Sequence, residues 1–170
     1  FSTINFDEAN ATEADIDALP DNCKYPTNKT SRHKPSTMII SDALTYLNHE
    51  ENSCISRYTY PDSHPLIKGH FPGNPIMMGV MQWMSLEDAL CTYLEQTQQS
   101  GQRSWTCDAT IYNQHRATIT VIKGAHLNSW IDVPNTKNQC DIAATQRITF
   151  KNMVKPNDTL YTHISNITQA

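Results

Sequence analysis

Long apolar runs are missing from this 170-residue chain. No stretch of about 18 apolar residues occurs, so no helix of it should span a membrane. A basic excess is missing too. Its 13 Lys and Arg are outnumbered by 17 Asp and Glu, and the formal net charge is −4. That leaves no field to hold a phosphate backbone and argues against generic nucleic-acid binding. Residues 1–20 hold acids but no basic residue, so they lack the pattern of a secretory signal or transit peptide. Starting on Phe1 without Met, the chain reads as trimmed or processed. CxxC pairs are also absent. Cys23, Cys54, Cys91, Cys107 and Cys140 stand apart, and their odd number argues against a disulfide framework or a zinc site. The expectation is therefore a cytoplasmic protein with reduced thiols, no metal and no cofactor. Four N-x-[ST] sequons start at Asn10, Asn28, Asn157 and Asn166; in an Asn- and Thr-rich chain they read as chance. No internal repeat or low-complexity tract occurs.

What is present suits one folded domain: 38% apolar and 8% aromatic residues in a chain long enough to bury a core. Residues 1–35 are polar and rich in turn formers, and read as an arm wrapping the domain, with a short helix over 7–19. Residues 36–40 and 43–47 read as a strand broken near Ser41 and Asp42, and 53–60 as a second strand after a turn at 49–52. Residues 61–75, rich in Pro, Gly and His, form a loop. Between Gly79 and Gln98 there is neither Pro nor another Gly. Trp83, Leu86, Leu90, Tyr93 and Leu94 recur at helical spacing, as do Val80, Met84 and Cys91. This predicts a helix with wide apolar coverage, hence largely buried, ended by Gly101. Strands are expected over 106–112, 117–123, 129–133, 142–150 and 159–167. A buried helix among so many strands implies a sheet wrapped around it.

The stretch Gly69-His70-Phe71-Pro72-Gly73-Asn74-Pro75-Ile76-Met77-Met78-Gly79-Val80 carries the chemistry. A histidine sits in a loop stiffened by two prolines, which runs directly into the helix at Gly79. Free N–H groups and the dipole at a helix N-terminus can hold a carbonyl oxygen that gains negative charge. His70 beside such a helix end is a competent arrangement for removing a proton next to a thioester carbonyl.

The motif H-F-P-G-N-P-I-M-x-G-V resembles the signature of the 3-hydroxyacyl-[acyl-carrier-protein] dehydratases. The likeness extends to His33-Lys34-Pro35 with the strand after it, to Arg147-Ile148-Thr149-Phe150, and to the turn Val154-Lys155-Pro156-Asn157-Asp158, where the family has P-G-D. It covers roughly residues 33–98 and 140–165. It implies an α+β hot-dog fold, an antiparallel sheet wrapped around a long central helix, with residues 36–170 as one domain. It also implies His70 as base and Gly79 as the amide that binds the substrate carbonyl. Phe71, Pro72, Gly73, Val80 and Met84 would line the substrate site. The implied partners are an acyl carrier protein thioester and a second hot-dog chain, identical or different.

Three departures bear on these expectations. Met78 replaces the proline before the glycine. Met84 stands where the family has a Glu or Asp that protonates the departing hydroxyl, and a thioether cannot donate a proton. General acid–base help is worth roughly 10²–10⁴-fold, so a replacement acid would be needed. Glu87 and Asp88 lie three and four positions on, on the same helix face. Residues 99–140 exceed the family's usual helix-to-strand connection, so they read as an insertion that either completes the sheet or marks the chain as one piece of a larger protein. Four functions stay open: a dehydratase with Glu87 or Asp88 as acid, one half of a heteromeric dehydratase, an acyl thioesterase, or an acyl or carrier-protein binding module. Lys68, Lys151 and Lys155 form a candidate basic rim for an acidic carrier. His115 and His126 read as structural or exposed, and Cys91, Met81 and Met84 as core or tunnel lining.

Overall fold

A computed structural model describes residues 24–64 and 79–170. The elements are β1 (Tyr25–Pro26), β2 (Ala43–Asn48), β3 (Ser53–Thr59), α1 (Gly79–Gln96), β4 (Gly101–Asn113), β5 (Thr118–Ile131), β6 (Gln139–Ala144), β7 (Arg147–Phe150) and β8 (Thr159–Gln169). All eight strands join one sheet in the order β1-β2-β3-β8-β4-β5-β6, with β7 also paired to β5. Every pairing is antiparallel. This α+β arrangement is consistent with the hot-dog fold. The stretch between helix and β6 is not set apart from the sheet: β4 lies between β8 and β5, so the long hairpin completes it.

The helix is corrected in length. It has 18 residues and is not the long one expected. Gln98 takes the left-handed conformation at φ 57, its N–H bonds to Glu95 O, and the Gln99 N–H bonds to Leu94 O. That paired bond pattern closes the helix three residues before Gly101, which instead opens β4. Residues 36–40 are not strand either. Ser36–Met38 forms a 3-10 turn after Pro35, closed by Met38 N–H on Pro35 O. The expected strand over 142–150 is two strands. β5 pairs with β6 through residues 126–130 and with β7 through residues 120–123, and Gly124 at φ +60 lies between them. A Cβ there would come within 2.4 Å of the Gln146 side chain, so only glycine fits this bend. The helix expected over 7–19 lies outside the described residues.

Eleven residues of α1 are buried, more than one face can supply. Leu86, Ala89, Leu90, Tyr93 and Leu94 pack in the core with Cys54, Trp105, Ile122, Leu127 and Ile164. The face around Asp88 and Thr92 is covered differently, by the segment before β2. Arg32 crosses the helix, donating to Thr92 Oγ1 at 2.8 Å and pairing with Glu95 at 2.6 Å. Glu95 also accepts from Ser31 at 3.1 Å and Asn138 at 2.6 Å, tying the segment, α1 and the approach to β6 together.

Candidate active site

Gly79 is the first residue of α1, where backbone N–H groups lack helical partners. The Phe150 ring from the end of β7 lies against it, 3.2 Å from where a Cβ would stand. Val80 beside it is 52% exposed and Phe150 is 55% exposed, so two large apolar side chains flank the start of the helix. One turn on, Met84 is half-buried and packs on the cluster of Ile40, Tyr58, Tyr60, Met81, Ile111, Ile119, Val154 and Leu160. Toward the sheet, Gln82 Oε1 accepts a hydrogen bond from Thr120 Oγ1, and Ser85 meets Thr162 at 3.1 Å. This end of the helix–sheet interface is therefore lined by both polar and apolar groups.

The two candidate acids differ sharply. Asp88 is 4% exposed and fully engaged. Lys34 Nζ lies 3.0 Å from its carboxylate, and the Ile40 N–H donates to it at 2.7 Å. Burial pushes its carboxyl up, while Lys34 and the Ile40 amide pull it back. It serves as the anchor for residues 34–40. Glu87 is half-buried and accepts the Ile142 N–H of β6 at 2.8 Å. Burial pushes its carboxyl up to about 7; the Ile142 amide and Lys34 oppose the rise, and Asp88 and Asp141 add to it. Near neutral pH it is shared between acid and base forms, as proton transfer requires.

His70, Phe71, Pro72, Gly73 and Lys68 lie outside the described residues, so the base and most of the expected substrate wall are not placed. The described residues bring Gly79, Val80, Met84 and Glu87 onto the first three turns of one helix. His115 and His126 are exposed. Sequence reasoning missed two buried histidines. His64, 4% exposed, lies 5.7 Å from the Tyr60 ring; burial lowers its pKa and a hydrogen bond with the backbone of Thr37 opposes the shift. His163, 1% exposed, is in β8. The only signal for His64 was the richness of residues 61–75 in His and Pro. Among the described residues no group of three or more His, Cys, Asp or Glu could hold a metal ion, and no helix is long and apolar enough to cross a membrane.

Residues 46–106 match the family described as ApeI-like, ApeI dehydratase. The match runs from β2 through β3 and α1 into β4, so it includes the helix that carries Gly79, Met84 and Glu87. It supports a dehydratase-type hot-dog protein over that stretch. No curated protein matches the chain.

Proposed function

We propose that the chain is a dehydratase acting on 3-hydroxyacyl thioesters of acyl carrier protein, with Glu87 in place of the acid that Met84 cannot supply. The observation that carries this reading is the Glu87 carboxyl, raised to about 7 on the same helix face as Met84. In the proposed reaction His70 takes the proton from the carbon next to the thioester carbonyl. The oxygen of that carbonyl gains charge and is held by the Gly79 N–H at the helix end. Glu87 then gives its proton to the 3-hydroxyl as the C–O bond breaks. Water leaves, the 2-enoyl thioester remains, and the proton on His70 returns to Glu87 through solvent. Asp88 is set aside because its carboxylate is held by Lys34 and Ile40.

One observation favours a second reading. Met84, which cannot donate a proton, packs on an apolar cluster, an arrangement that suits a subunit whose acid comes from another hot-dog chain. A mass-spectrometric assay with a 3-hydroxyacyl carrier-protein thioester tests both. Under the first reading wild type forms the enoyl product, while His70→Ala and Glu87→Gln lose it by roughly 10²-fold or more. Under the second, wild type is inert and Met84→Glu gains activity, or activity appears only with a sister chain. Release of free thiol from an acyl thioester lacking the 3-hydroxyl would instead indicate a thioesterase.

A further inference from the structure

On β7, Ile148 lies opposite Ile122 of β5, and both pack in the core that α1 fills. The next pair in register is Lys123 and Arg147, so it faces the other side of the sheet. Both are exposed, and neither side chain has an ion-pair or hydrogen-bond partner among the described residues. Two cations directly opposite one another repel and weaken the pairing. The one acid of β4, Asp108, does not relieve them: it accepts from the Gly124 N–H and the Asn166 amide, each at 2.9 Å. Residues 109–131 and 142–157 hold no Asp or Glu, yet they carry five of the 13 basic residues: Arg116, Lys123, Arg147, Lys151 and Lys155. Charge on a sheet edge has an ordinary use. Among the described residues β7 pairs with β5 alone, and charged side chains on an open edge discourage pairing with other chains. A Lys opposite a Glu would serve that end equally well and without repulsion. The use of two like charges therefore points to an anionic partner.

We propose that Lys123 and Arg147 form a docking surface for an acidic protein face, that of the carrier whose thioester the proposed reaction consumes. The inference rests on the reading that the chain acts on carrier-bound thioesters. An acidic carrier is repelled by a chain of net charge −4 unless a local surface of opposite sign receives it. Arg147 stands three residues before Phe150, about 10 Å along the strand, and the Phe150 ring lies against Gly79. The surface therefore adjoins the helix start where the thioester carbonyl would be held.

The test is binding of fluorescently labelled apo acyl carrier protein, which lacks the thioester-bearing arm, to the whole chain. Wild type should bind it at low ionic strength, and more weakly as salt is raised. Lys123→Glu and Arg147→Glu should each weaken binding by roughly tenfold, and the double variant by more. Each single reversal also turns a repelling pair into an attracting one, so the melting midpoint should rise by about 1–3 °C, which separates lost binding from lost folding. The proposal is overturned if apo carrier does not bind, or if the double variant binds it as tightly as wild type. Binding of phosphatidylserine vesicles in place of the carrier would assign the surface to a membrane and overturn it equally. Apo carrier bears no substrate, so a wild type that binds it but is inert sinks only the dehydratase reading. Turnover of a short 3-hydroxyacyl thioester without carrier binding sinks only the docking surface.

Discussion

Replacing Glu87 by Gln keeps an oxygen to accept the Ile142 N–H and removes only the titration. In wild type the carboxyl moves from its ordinary 4.5 to about 7 on folding. The raised value means the folded chain binds a proton more tightly than the unfolded one. The associated stability is complete below 4.5 and is lost as pH rises through 7. That gap, discounted because the side chain is only half-buried, corresponds to roughly 2–3 kcal/mol. Glu87→Gln should therefore match wild type near pH 4.5 and gain on it steadily, ending more stable by that amount at pH 8. For a chain of this length the difference is about 4–12 °C in melting midpoint. Paired thermal melts at five pH values from 4.5 to 8.5 would measure it. A midpoint difference that stays flat or shrinks with rising pH would refute the raised carboxyl, and with it the role of Glu87 as acid at neutral pH.

Removing Arg32, 3% exposed and bonded to Glu95 and Thr92, leaves Glu95 without its closest cation. Arg32→Ala should cost about 3–5 kcal/mol in urea unfolding. Leu90→Ala, at a fully buried core position on α1, should cost about 2–5 kcal/mol and lower the urea midpoint without changing the slope. Gln98→Gly relieves a side chain held at φ 57 and should stabilise by about 1 kcal/mol, read as a rise of a few degrees in melting midpoint. Gly79→Ala pushes a methyl to 3.2 Å from the exposed Phe150 ring, which can move aside, so folding should survive with a stability change within about 1 kcal/mol.

The helix was legible because Leu86, Leu90, Tyr93 and Leu94 repeat on its own scale and are all buried. Its end was misjudged because glycine is the usual left-handed residue, whereas here Gln98 takes that conformation. Residues 36–40 look β-forming, but Pro35 and the pull of Asp88 on the Ile40 amide set a different path. No local pattern carries that long-range bond. The break between β6 and β7 depends on how β5 bends at Gly124, some twenty residues earlier, and was equally hidden. In the candidate site, Met84 at the position where the resembled family has an acid was visible as a residue type. What separates Glu87 from Asp88 was not: one reaches Ile142, 55 positions on, and the other Lys34 and Ile40, 54 and 48 positions back.

The place of β8 has a consequence for how the chain is made. Its residue Thr159 pairs with Thr59 of β3, a hundred positions earlier, and its other side pairs with β4. During synthesis at about 5–20 residues per second, β3 and β4 therefore leave the ribosome roughly 5–20 s and 2–10 s before the strand that joins them. Through that interval the sheet exists as two separate halves, each with an open edge of the kind that invites pairing with other chains. A nascent-chain binding chaperone would have its longest engagement here, and a ribosome stall anywhere between β5 and β8 would leave a product prone to aggregate.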